Sequence, residues 1–338
     1  MYTKNECLDR GKTPLARNKT VESFLQVMQQ VQYLTVTKAS EGQRIDNFLM
    51  RELKGVPRSR VYWLLRRGEV RVNKKRCKPE VKLSLGDIVR IPPYAGNAVK
   101  DQGKVTESLK DYLLNNVIYE KAGLLIINKP SGLAVHGGSG IKLGLIEAVR
   151  QIKPQWKGAE LAHRIDRETS GCLVIATDIE TLRQMHQQFK SKQVQKTYQA
   201  LVYGNWPEAI QVVDEPLMRE QLESGERLVR THPQGKEALT RFRVLEKFKH
   251  ATLIEARPET GRTHQIRVHC QHVGYPILGD SRYASRSILR EYPTLKAMKS
   301  LCLHAAELCF KSPENGETVN VRASLGMNLT NALGRLRE

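Results

Sequence analysis

The chain has 338 residues, 40% of them apolar, which suffices for two domains with packed cores and excludes wholesale disorder. Lysines and arginines exceed acids by 55 to 35, a formal net charge of +20 that favours a polyanionic partner, nucleic acid ahead of a membrane surface. The longest apolar runs, at 124–127 and 173–176, are far too short to span a bilayer.

In chain order, residues 1–33 read as a polar extension. The opening MYTKNECLDRGKTPLARNK carries charges but no apolar core of a secretory signal. Six cysteines, at 7, 77, 172, 270, 302 and 309, form no C-x-x-C pair, so a reduced, cytoplasmic protein with free thiols is expected.

Residues 34–93 read as a compact module. Ile45, Phe48, Leu49 and Leu53 follow helical spacing, Gly55 and Pro57 break the chain, and a second helix is expected over about 59–67 with Val61, Leu64 and Leu65 inward. Short strands are expected around 70–73 and 88–91. Between Gln43 and Ile91 stand 14 Lys or Arg against five acids. Arg58, Arg60, Arg67, Arg71, Lys74, Lys75 and Arg76 fall on the second helix and the hairpin after it. That density suggests one basic, RNA-contacting face, although a charge run is also compatible with a plain solvated surface. The stretch RIDNFLMRELKGVPRSRVYWLLRRGEVRVNKKRCKPEVKLSLGDIVRIPP resembles an S4 RNA-binding domain over the whole module.

A linker is expected over 94–115, with AGNAVKDQGK at its centre. Residues 116–338 then read as strand-rich, with candidate strands at 117–119, 124–128, 172–176, 197–203, 238–245, 251–257 and 303–310, and a helix after Asp178 marked by Leu182, Met185, His186 and Phe189.

Three stretches in this block could carry chemistry. LAHRIDRETSGCLVIA, 161–176, sets Asp166 between Arg164 and Arg167 in a turn before an apolar strand. Arg-x-Asp-Arg alone also fits a structural ion pair, but loops held on a strand edge are common places for catalytic groups. A guanidinium partner favours the ionised form that a nucleophile or base requires. In ARPETGRTHQIRVHCQHVGYPILGDSRY, 256–283, Gly261 is expected to open a short helix with Thr263, Ile266, Cys270 and Val273 on its buried face. Arg267 there is a natural distant partner for a carboxylate, while Arg262 and His264 are read as RNA-facing. In KTYQALVYG, 196–204, Tyr198 taken alone reads as core packing more readily than as a site residue.

No metal is expected. His264, His269, Cys270, His272, Cys302 and His304 match no familiar zinc spacing. HGGSGIKLG, 136–144, lacks the Gly-Lys-Ser/Thr of a phosphate loop.

Taken together and in order, NKPSGLAVHGGSG, HRIDRETSGCLVIA, KTYQALVYG, TGRTHQIRVH and LHAAEL resemble the motif set of the RluA-type pseudouridine synthases with an N-terminal S4 domain, over about 120–310. Ile165 stands where that family usually has leucine. The resemblance implies an α+β fold in which a small S4-like domain precedes a catalytic domain (116–338) built on a mixed, mainly antiparallel sheet. It implies isomerisation of uridine to pseudouridine in 23S ribosomal RNA, free or in the pre-ribosomal large subunit, with no cofactor. Asp166 would be the catalytic carboxylate, attacking C1′ or taking a proton from C2′. Arg267 would pair with it, Tyr198 would stack on the uracil, and Arg164 would fill the space left by the flipped base. His163 and Arg167 are given structural roles, and the chain is expected to be a monomer. The competing readings are a non-catalytic ribosome-assembly factor, a sister synthase with other 23S sites, and a metal-dependent RNA hydrolase.

Overall fold

The computed structural model describes residues 30–53, 56, 58–93, 103–138, 141, 143–221, 227–293, 295 and 298–338. The chain divides at Asp101/Gln102 into two compact units.

The first unit contains β1 (Gln32–Thr35), α1 (Ile45–Glu52), α2 (Arg58–Arg67), β2 (Arg71–Val72), β3 (Lys75–Arg76) and β4 (Ile88–Ile91). The strands form an antiparallel sheet in the order β1-β4-β2-β3. Its core joins the helical stripe Ile45, Phe48, Leu49, Val61, Leu64 and Leu65 to Val89 and Ile91 of β4. The side-chain period of two leaves Ile88 exposed beside buried Val89. The β2–β3 connection is a two-residue turn, Asn73-Lys74, with φ of 48° and 66°. Positive φ at both positions is what a hairpin twisted like its strands requires.

The second unit begins where a linker was expected. Glu107–Asn115 is α3, capped by Thr106, whose hydroxyl accepts from Leu109 N–H at 3.3 Å, and its Leu113 is fully buried. There follow β5 (Val117–Lys121), β6 (Leu124–Lys129), α4 (Leu145–Ile152), β7 (Glu160–Leu161), β8 (Ser170–Ala176), α5 (Ile179–Lys190), β9 (Gln195–Tyr203), β10 (Val212–Asp214), β11 (Leu217–Gln221) and β12 (Arg227–Thr231). Then come β13 (Leu239–Lys247), β14 (Ala251–Pro258), α6 (Gln265–His272), α7 (Arg286–Glu291), β15 (Leu303–Lys311), β16 (Thr318–Arg322) and α8 (Met327–Arg337).

Ten of these strands make one sheet, ordered β10-β13-β14-β9-β15-β8-β6-β5, with β16 paired to β15 and β7 to β8. Only the β15–β8 pairing is parallel, so the sheet is mixed and mainly antiparallel, as the family resemblance implied. Strands β6 and β8 are buried along their whole length. Leu125, Ile127, Leu173 and Ile175 face α3 and α4 on one side. Leu124, Ile126, Cys172 and Val174 face Met185 of α5 and Phe310 and Val321 on the other. Covering both faces explains why these strands read as continuous apolar runs rather than alternating ones. Each such side chain stabilises the fold by roughly 1.5–3 kcal/mol on burial.

At Gly171 β8 passes so close to Ala305 of β15 that any Cβ would collide with the Ala305 backbone, and φ is +107°. Only glycine fits there, which locks the start of β8, and the loop before it, against the centre of the sheet.

Candidate active site

Asp166 lies in the loop between β7 and β8, and that loop is tied down from below. The ammonium of Lys129, fully buried at the end of β6, donates to Pro130 O at 2.8 Å, Leu133 O at 2.9 Å and Arg167 O at 2.8 Å. Three carbonyls match its three N–H groups. Burial nevertheless pulls its pKa down to about 7, against the opposing charges of Glu168 and Asp166. Gly132 and Arg167 exchange two more bonds, Gly132 N–H to Arg167 O at 2.9 Å and Arg167 Nε–H to Gly132 O at 2.8 Å. Ser131 Oγ donates to Glu168 O at 2.7 Å.

Across the cleft, α6 presents a nearly buried Arg267. Its guanidinium forks onto Asp280, Nε to Oδ2 at 2.7 Å and Nη2 to Oδ1 at 2.8 Å, while Nη1 reaches Asp166 Oδ2 at 3.4 Å. Asp280 is itself buried and also accepts the backbone N–H groups of Arg282 and Tyr283 at 3.0 and 3.2 Å. Hydrogen bonds and charge from Asp280, with a further pull from Asp166, outweigh desolvation and raise the pKa of Arg267. One guanidinium thus bridges two carboxylates, one buried and saturated, the other half-buried and open to the cleft.

The cleft has a volume of about 930 Å³ and is edged by Arg164, Lys192, Lys196, Arg219 and Arg262 as well as by Asp166, Tyr198 and Arg267. Tyr198, on β9, is half-buried, and desolvation together with the charge of Asp166 pushes its hydroxyl pKa up, so it stays protonated. Lys196, two residues earlier on the same strand, donates to Thr260 O at 3.0 Å, and burial lowers its pKa to about 8. Arg164 is exposed at the rim and makes no hydrogen bond or ion pair with the described residues. The site can therefore offer a carboxylate, a protonated hydroxyl beside it and a positive rim suited to a polyanion.

Residues 123–272 match the RNA pseudouridylate synthase family and residues 43–89 the S4 domain. The chain is 47% identical to ribosomal large subunit pseudouridine synthase C of Haemophilus influenzae, over 91% of this chain and 96% of that protein. It is 46% identical to the synthase C of Escherichia coli, over 91% and 97%.

The chain belongs to the RNA pseudouridylate synthases.

Among solved structures, this synthase resembles human RNA pseudouridylate synthase domain containing 4, with a TM-score of 0.56 and 28% identity over 68% of this chain and 96% of that one. A second human neighbour, RNA pseudouridylate synthase domain containing 1, has a TM-score of 0.50 and 25% identity over 66% and 94%.

The structure brings Asp166, Tyr198, Arg267, Arg164, Arg262 and His264 to one cleft. His264 departs from the RNA-facing reading: its side chain is 15% exposed and its ring turns inward, Nδ1 2.7 Å from Tyr283 Oη and Nε2 3.9 Å from Asp166 Oδ1. Helix α6 begins at Gln265 rather than near Gly261, because His264 adopts the left-handed conformation and Gln265 Oε1 caps Arg262 N–H at 3.0 Å. Thr263 is consequently exposed and meets Arg219 at 3.0 Å instead of packing inward. His163 accepts Val174 N–H at 3.0 Å, and burial lowers its pKa to about 3, which fits a neutral structural ring. Both ring nitrogens of His269 are engaged, by Thr240 and Glu215 O, and His304 pairs with Ser170 at 2.9 Å.

Asp280, Tyr283 and Lys129 were missed. Asp280 and Tyr283 sit in the quoted GDSRY run, and Lys129 in the NKPSG run. Nothing in those runs marks a side chain as buried. In the first unit, Arg60, Arg67, Arg71, Lys74, Lys75 and Arg76 are exposed, whereas the side chain of Arg58 lies outside the described residues. Arg60 and Arg67 lie over the Trp63 ring at 3.8 and 4.9 Å. Tyr33, Arg90, Arg71 and Arg76 stand opposite one another across the four strands. Among the described residues no helix is long and apolar enough to cross a membrane, and no cluster of His, Cys, Asp and Glu could hold a metal ion.

Proposed function

We propose that this synthase converts specific uridines of 23S ribosomal RNA to pseudouridine, acting in the cytoplasm as a monomer on the large-subunit RNA or its precursor particle. The observation that carries the reading is the Asp166 carboxylate, ionically tied to Arg267 at 3.4 Å and open to a basic cleft beside Tyr198. The relatives in Haemophilus influenzae and Escherichia coli, both ribosomal large subunit synthases, support the choice of RNA.

In the reaction the C1′–N1 bond breaks, the uracil turns, a C1′–C5 bond forms, and the proton leaves C5 as N1 gains one. Asp166 acts on the ribose, as nucleophile at C1′ or base at C2′. Either step needs a carboxylate in a fixed orientation, which Arg267 supplies. The target must leave its stack at a cost of a few kcal/mol, and Arg164, unengaged at the rim, is placed to occupy the vacated space with a planar guanidinium. Tyr198 offers a ring against which the freed base can stack. The exposed arginines and lysines of the first unit add sequence-independent affinity.

The test is tritium release from 23S rRNA labelled at uridine C5, comparing wild type with Asp166→Asn. Release by the wild type alone, with the variant still binding RNA, supports the assignment. Binding without release by either protein would make the chain an assembly factor.

A further inference from the structure

Helix α6 opens with a residue in an uncommon conformation. His264 has φ 54° and ψ 20°, the left-handed region that a non-glycine residue adopts at a cost. That turn drives the imidazole into the cleft floor, between Tyr283 on one side and Asp166 on the other.

The tautomer follows from its neighbours. Tyr283 Oη accepts the backbone N–H of Val229, on β12, at 3.3 Å. Burial raises the pKa of that hydroxyl, so it keeps its proton and can donate it to His264 Nδ1 at 2.7 Å. Burial holds the imidazole pKa below the usual histidine range. The positive charges of Arg267 and Arg282 act the same way, with Asp166 and Asp280 opposing. A neutral ring that accepts at Nδ1 must carry its hydrogen on Nε2. That N–H faces Asp166 Oδ1 from 3.9 Å, while Arg267 takes the other oxygen, Oδ2.

We infer that His264 is a positioning residue for the uridine isomerisation proposed above: held by Tyr283, it presents an Nε2–H group to Asp166 Oδ1 and, with Arg267 on Oδ2, fixes the plane of the carboxylate. The inference rests on that reading of Asp166. The 3.9 Å spacing is longer than a hydrogen bond, and a small rotation of the carboxylate towards a bound ribose closes it, as free-enzyme sites commonly tighten only in the complex.

The full-length chain tests it with single-turnover tritium release from C5-labelled 23S rRNA at saturating enzyme, alongside RNA affinity by filter binding. His264→Asn tolerates the left-handed backbone but is too short to reach Asp166. His264→Gln restores a donor close to the Nε2 position. His264→Asn is expected to slow the saturated rate by about tenfold or more, the scale of effect that misplaced reacting groups produce. RNA affinity should not move, and His264→Gln should recover most of the rate. Tyr283→Phe, which frees the ring to adopt either tautomer, should fall between them. Equal losses in the Asn and Gln variants would overturn the inference in favour of a backbone role alone. Weakened binding with an unchanged saturated rate would overturn it in favour of an RNA contact. Wild-type and Asp166→Asn proteins run in parallel separate these results from failure of the functional reading, which would show as no wild-type release or as release by both.

Discussion

The basic surface of the first unit and the charge cluster under the cleft both use arginine, in opposite ways. On the helix and hairpin of the first unit the cations Arg60, Arg67, Arg71, Lys74, Lys75 and Arg76 are exposed, and Arg67 meets Glu69 only at 3.6 Å. Under the cleft, Arg267 and Asp280 have side-chain exposures of 6% and 0% and share two short hydrogen bonds. Exposed charges interact through a high dielectric and are screened within about 8–10 Å, so each contributes little and they are interchangeable. Buried charges have paid a desolvation cost that only a matched partner offsets, so each is irreplaceable. One region stores affinity, the other geometry.

The sharpest way to break that comparison is Asp280→Ala. It leaves the Arg267 guanidinium buried with the 3.4 Å contact to Asp166 and the face of the Tyr283 ring and, among the described residues, no closer carboxylate. Removing one partner of a buried pair typically costs about 3–5 kcal/mol, so the denaturant midpoint should fall by a corresponding amount. The freed guanidinium should also crowd onto Asp166, and single-turnover tritium release should fall well beyond what the stability loss explains at low temperature. A variant with wild-type midpoint and rate would show that the cluster is no more than a surface-type pair.

How far the sequence reaches follows the same division. Strands β6 and β8 are legible because both faces are apolar, and the basic face is legible because density along the chain is what defines it. Asp166 and Arg267 could be paired across a hundred residues only through motif resemblance. Asp280 could not be read at all: an aspartate after glycine looks like a turn residue, and its burial is set by α6 and the Tyr283 loop folding over it. The direction of His264 is likewise out of reach, since it depends on a left-handed φ that no spacing encodes. The helix Glu107–Asn115 reads as linker in the sequence because only Leu113 of it is fully buried, and the adjoining polar residues weaken the period. The hairpin β11–β12, whose strands Leu-Met-Arg-Glu-Gln and Arg-Leu-Val-Arg-Thr lack a clean apolar–polar alternation, gives too weak a strand signal to stand out from loop.

A smaller effect is expected on the affinity side. Replacing Arg71, Lys75 and Arg76 together with alanine removes cations that stand on adjacent strands of the exposed hairpin. Each lost phosphate contact should reduce the slope of log K against log salt concentration by about 0.7–0.9. The saturated rate should be unchanged, because saturating concentrations offset a loss of affinity. A lower saturated rate with an unaltered salt slope would reverse the roles assigned to the two regions.

Lys196 lies between the two regimes, a half-buried cation of the cleft wall. Its pKa is lowered from 10.5 to about 8, chiefly by desolvation and secondarily by Lys192. The sign follows directly: the ammonium is charged below about 8 and neutral above it, so any phosphate contact it makes is present at pH 7 and lost as pH rises through 8. RNA affinity at fixed salt should therefore weaken a few-fold between pH 7 and 9, a range in which lysines of ordinary pKa remain charged. Lys196→Met should abolish that limb while lowering affinity at pH 7 to near the high-pH level. Lys196→Arg should abolish it while keeping affinity high, because a guanidinium does not titrate there. Should all three proteins show the same fall, the titrating group lies elsewhere and Lys196 serves only to brace Thr260; the cleft wall would then belong with the buried, geometry-setting cluster rather than with the affinity surface.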